Sequence, residues 1–145
     1  MLGAGGQAGP GDAANTASSG GVSRNVTGVP PMSNAEYRKW AQMRIDALNH
    51  ALKGIPEEKS RYHICWGSWH GPHSSDVELK DVADLLVKVK AQAYSVEAGN
   101  VRHEHEWKAW EDVRLDGKIL VPGVVSHATN VVEHPEVVAD RIERF

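Results

Sequence analysis

From Ser33 onward the apolar positions fall into two periods, one helical and one alternating. Tyr37, Ala41, Ile45, Leu48 and Leu52 recur at helical spacing and share one face. Ser33 and Glu36 stand at the start of that run with the spacing of a capping box, which satisfies orphan N–H groups of a first turn. Gly54 and Pro56 supply the stop, so the pattern predicts a helix over 34–53. Arg61 to Trp66 then reads as a short strand, and Gly67 to Asp76 as a loop of Gly, Pro and His. Val82, Leu85, Leu86 and Val89 make the buried stripe of a second helix, and Ala91 to Glu97 the next strand. Arg102 to Val113 is expected to be helical, and Asp116-Gly117 turns the chain into an apolar strand from Ile119 to Val125. A final helix starts near Pro135, a favoured first-turn residue, and is expected to bury Val138, Ile142 and Phe145.

The order is one helix followed by three βα units, which implies an α/β fold with parallel strands joined by right-handed crossovers. A closed eight-stranded barrel takes about 250 residues. A chain of 145 residues with three units therefore predicts a partial (β/α)₈ TIM barrel with a preceding helix. Residues 1–32 hold eight of the fourteen glycines and two charged side chains, Asp12 and Arg24, with no apolar period. They are expected to be a disordered tail, leaving 33–145 as the domain.

Composition narrows the partners. The chain is 41% hydrophobic and 24% charged with a net charge of −3, so no basic stripe exists to neutralise phosphates, and nucleic acid is not expected. No apolar run approaches the roughly 20 residues of a membrane span, and the N-terminus lacks a secretory pattern. Cys65 is the single cysteine, which rules out an intramolecular disulfide and suits a reducing compartment; the expected location is the cytoplasm. Three strands leave open sheet edges, through which self-association is expected.

Candidate chemistry follows from spacing. Residues at the C-terminal ends of parallel strands gather at one end of the sheet. Cys65 and Glu97 are 32 positions apart and Glu97 and His127 are 30 apart, each about one strand–helix–strand unit. His63 and Cys65 lie two apart on a strand and project to the same side. A neutral imidazole, a thiolate and a carboxylate from the neighbouring strand would make three ligands of a tetrahedral zinc site. The alternative reading of Cys65 is a small core residue, and spacing leaves both open. Seven of the eight histidines lie between His63 and His134, mostly on predicted loops. Among them His127 is the strongest acid/base candidate, because it follows a strand at the shared end and imidazole titrates near neutrality. His103 and His105 are two apart, which does not meet the four-residue spacing of a His-Glu-x-x-His zinc helix. Trp66 and Trp69 either wall a pocket or pack beneath their loop.

Three segments carry a family resemblance. They are Arg61-Tyr62-His63-Ile64-Cys65-Trp66-Gly67; Val96-Glu97-Ala98-Gly99-Asn100 with Arg102-His103-Glu104-His105-Glu106-Trp107; and Pro122-Gly123-Val124 through Asn130 with Val132-Glu133-His134-Pro135-Glu136. Together they resemble the C-terminal catalytic barrel of the cobalamin-independent methionine synthase family over about 33–145, most closely its single-barrel members, which include epoxyalkane:coenzyme M transferase-like proteins. The resemblance implies a (β/α)₈ barrel whose zinc is held by His63, Cys65, Glu97 and a second cysteine on the last strand. It implies transfer of a methyl group from 5-methyltetrahydrofolate polyglutamate to homocysteine, in methionine biosynthesis, or alkylation of another thiol such as coenzyme M. His127 is close to the position of a loop histidine proposed as proton donor in methionine synthases. No cysteine follows Cys65 and the sequence ends at Phe145, so a fragment of such a barrel is expected. A non-catalytic remnant is the alternative, and a metal-free decarboxylase of the related uroporphyrinogen decarboxylase type a lesser one.

Overall fold

The computed structural model describes residues 32–65 and 76–145. The expected tail up to residue 31, and the loop carrying Trp66, Trp69, His70 and His73, lie outside the described residues. Helix α1 spans Asn34–Ala51. Its start has the capping box in full: the Ser33 hydroxyl accepts the Glu36 N–H, and the Glu36 carboxylate accepts the Ser33 N–H at 2.8 Å. Gly54, at φ +86°, turns the chain out of the helix in a left-handed conformation that glycine adopts without a Cβ clash.

Strands β1 (Arg61–Ile64), β2 (Ala93–Glu97) and β3 (Ile119–Gly123) form one parallel sheet in the order β1-β2-β3. Asp116 and Gly117 both have positive φ, giving the tight turn their sequence predicts immediately before β3. The molecule is thus a mixed α/β structure with a small open parallel sheet. One face of the sheet is built into the core through Tyr62, Ile64, Tyr94, Val96 and Leu120. The alternating positions His63, Ile119 and Val121 face the other way and are exposed. Two buried clusters adjoin: Tyr37 of α1 packs with Ile64, Val96 and Trp110, and Ile45 packs with Leu85, Val89 and Tyr94. Met32, just before the cap, packs against the first of them.

The connections differ from the sequence expectation. The run around Val82–Val89 is not one regular helix but a 3₁₀ turn at Leu79–Asp81 followed by a four-residue helix α2 at Ala83–Leu86. Its stripe is nevertheless buried, with Val82, Leu85 and Val89 in the core. The reason is local: β-branched Val82, Val87 and Val89 weaken helix propagation, and Tyr94 directs its hydroxyl at the carbonyls of Val87 (3.0 Å) and Val89 (2.6 Å). Arg102 to Val113 is likewise a 3₁₀ helix, Glu104–Trp110. In that geometry residues three apart eclipse one another.

Helix α3 spans Pro135–Glu143, with Pro135 in its first turn and His134 as N-cap. The expected apolar burial is overturned here. Ile142 is 57% exposed and Phe145 41% exposed, Val138 is half-buried, and the residue α3 buries is Arg141, at 7%. Periodicity identified an apolar stripe, but the helix is seated by ion pairs of Arg141 with Glu104 and Glu133 instead. No described helix is long and apolar enough to cross a membrane.

Candidate functional site

Parallel pairing sets His63 opposite Ser95 and Ile64 opposite Val96. One step further, Cys65 follows β1 beside Glu97, the last residue of β2, and the Cys65 thiol donates to Glu97 Oε1 at 3.6 Å. Gly123 ends β3 opposite Glu97, and the chain then folds back so that His127 Nε2 lies 3.3 Å from the same Oε1. The Glu97 side chain is only 9% exposed, whereas that of His127 is 65% exposed. Cys65, Glu97 and His127 therefore meet at the C-terminal end of the sheet, as their spacing predicts. Glu97 and His127 line a pocket together with Asn100 and Ser126.

His63 points to the same side of the sheet but is placed lower. Its Nδ1 lies 3.2 Å from Ser95 Oγ, and its ring is exposed. Among the described residues, no group of three or more His, Cys, Asp or Glu side chains is placed to hold a metal ion. The Cys65–Glu97 pair itself suits one: Zn–S of about 2.3 Å and Zn–O of about 2.0 Å at a tetrahedral angle put the two donors roughly 3.5 Å apart. His63, held at Ser95 Oγ, does not join that pair.

The loops at this end are closely packed on backbone. A Cβ at Gly99 would come within 2.9 Å of Ser126 N and 3.1 Å of Val124 O, and one at Gly123 within 3.2 Å of Val96 O. Glycine at these two positions lets the turn after β2 support the loop that carries His127.

Two networks have no obvious sequence signal. In the first, His103 is clamped between carboxylates, with Nδ1 2.8 Å from Glu106 Oε2 and Nε2 3.3 Å from Asp76 Oδ2. Glu106 is buried, and its other oxygen accepts the Leu79 N–H. Burial disfavours the charged imidazole, but hydrogen bonds and charge from Glu106 and Asp76 outweigh it and raise the His103 pKa. The 3₁₀ geometry supplies the (i, i+3) alignment of His103 with Glu106, while His105 diverges to the surface. In the second, the Arg141 guanidinium joins Glu104, Glu133 and the Val124 carbonyl, and Glu133 Oε2 accepts the Ser126 N–H at 2.8 Å. Accepting that backbone bond, with Arg141 alongside, lowers the Glu133 pKa. Both networks join charges from distant parts of the sequence, which no periodicity reports.

No protein-family model matches the chain, and comparison with curated proteins and with solved structures finds no match.

Proposed function

We propose that this chain is part of a (β/α)₈ barrel of the methionine synthase type and that its sheet end serves zinc-assisted methyl or alkyl transfer to a small-molecule thiol. The observation that carries the reading is the Cys65 thiol at 3.6 Å from Glu97 Oε1, on adjacent parallel strand ends, with His127 on the same carboxylate. Support also comes from a sheet with helices on one face and His63, Ile119 and Val121 open on the other, the arrangement of a barrel segment.

Cys65 and Glu97 provide two anionic donors, and His63 provides the neutral one once its ring turns from Ser95. A zinc ion held there would supply Lewis acidity, lowering the pKa of an incoming thiol so that thiolate would be available at neutral pH. Glu97 also accepts from or pairs with His127, fixing the direction of an imidazole at the pocket mouth. His127 there exchanges a proton with the group that leaves the alkyl donor. Homocysteine is the first thiol to test, and coenzyme M the second.

The experiment is metal analysis of the purified chain together with its Cys65→Ser variant, followed by a methyl-transfer assay. About one zinc per chain in the wild type and loss in the variant support the reading. Zinc absent from the wild type, or unchanged in Cys65→Ser, overturns the metal site. A second reading, a non-catalytic piece that associates through its sheet, is favoured by the exposure of Ile119 and Val121. Oligomers without turnover on any thiol are its expected outcome.

A further inference from the structure

The His127 side chain is 65% exposed and meets Glu97 Oε1 at 3.3 Å, so its place at Glu97 also depends on the backbone that carries it. That backbone is held from two sides. Beneath it, Gly99 allows the closest approach, with no room for a Cβ under Ser126 N and Val124 O. Beside it, Arg141 of α3 donates from Nη1 to the Val124 carbonyl at 2.8 Å and pairs with one oxygen of Glu133, whose other oxygen takes the Ser126 N–H at 2.8 Å. Nε and Nη2 of Arg141 both reach Glu104 Oε2 at 3.2 Å, tying this cluster to the 3₁₀ helix after β2.

The burial pattern of α3 is the reverse of what helix stability alone favours. A guanidinium stays charged in proteins and is costly to bury without partners, yet α3 buries Arg141 and leaves Ile142 and Phe145 exposed. We propose that Arg141, acting through Glu133, is a positioning residue that holds loop 124–127 so that the His127 imidazole stands at Glu97. Glu133 reads the amide of Ser126, Arg141 reads the carbonyl of Val124, and the residue next in line is His127. The value of this to proton transfer rests on the function proposed above; the holding of the loop does not.

The test is nitrogen-15 NMR of the full chain at one fixed pH, without added metal or thiol, on wild type, Arg141→Met, Arg141→Lys and Glu133→Gln, with Glu97→Gln as the reference for a lost contact. In Arg141→Met and Glu133→Gln the Ser126 amide is expected to exchange at least about tenfold faster, while the Tyr94 and Val96 amides of β2 keep their protection. The His127 ring resonances are expected to move to their positions in Glu97→Gln, and Arg141→Lys, which keeps the charge but not the fork, to lie between. Wild-type His127 resonances in a variant whose Ser126 amide is unprotected overturn the proposal. If Arg141→Met does not fold, Glu133→Gln carries the test, and loss of fold in both assigns the cluster to stability and overturns it as well. Because no metal or thiol is present, failure of the zinc reading leaves this result standing, and the reverse.

Discussion

Cys65 follows β1 and Glu97 ends β2, yet the thiol of one donates to the carboxylate of the other at 3.6 Å. The parallel register brings this about: His63 pairs with Ser95 and Ile64 with Val96, so the next step on each strand end is Cys65 beside Glu97. A nearly buried carboxylate between a thiol and an imidazole is the most chemically loaded point of the structure.

Removing the negative charge at that point should weaken any metal. Glu97→Gln is expected to lower zinc affinity by at least the roughly 10- to 100-fold typical of losing a supporting partner. Competition with a chromophoric chelator measures it, and an affinity equal to wild type would remove Glu97 from the ligand set.

The His103 cluster sets a pH dependence. Its folded pKa lies above the usual value of about 6.5, so its stabilisation is fully present below that pH and is lost as pH rises through the folded value. Denaturant midpoints should therefore fall between mildly acidic and mildly alkaline pH. His103→Gln should flatten that slope and cost about 3 kcal/mol at pH 6, because Asp76 and Glu106 lose the cation between them.

Gly99→Ala is expected to disturb the His127 loop, since the new Cβ would lie 2.9 Å from Ser126 N, a backbone atom that must shift. A cost of about 1–3 kcal/mol is expected from overpacking, measurable by thermal or urea unfolding. A stability equal to wild type would mean that the loop yields freely.

Exposure and periodicity make opposite predictions for α3. Ile142→Ser, at an exposed position, should change stability by no more than about 0.5 kcal/mol. Ile45→Ala in the second cluster should cost about 2–5 kcal/mol. Comparable losses in the two variants would show that Ile142 is covered in solution.

Tyr94→Phe removes a buried hydroxyl that faces the carbonyls of Val87 and Val89. Leaving those acceptors without it should cost about 1–3 kcal/mol. Amide exchange around Val87–Val89 should speed up with it, and unchanged exchange there would separate the hydroxyl from the shape of that turn.

The local features were legible in the chain alone. The Ser33–Glu36 box, the Gly54 stop, the Asp116-Gly117 turn and the period-two strands each depend on neighbours a few residues away, so their residues announce them. The meeting of Cys65, Glu97 and His127 was also readable, because one βα unit per functional residue brings strand ends together whatever the details of the connections. Tertiary structure alone decided that His63 rests on Ser95, that Arg141 rather than Ile142 is buried, and that His103 sits between Asp76 and Glu106. For Arg141 and His103 the physical reason is the same. Periodicity tells which side chains share a face, but the burial of a charge is set by partners that arrive from distant elements, and those partners exist only once the chain has folded.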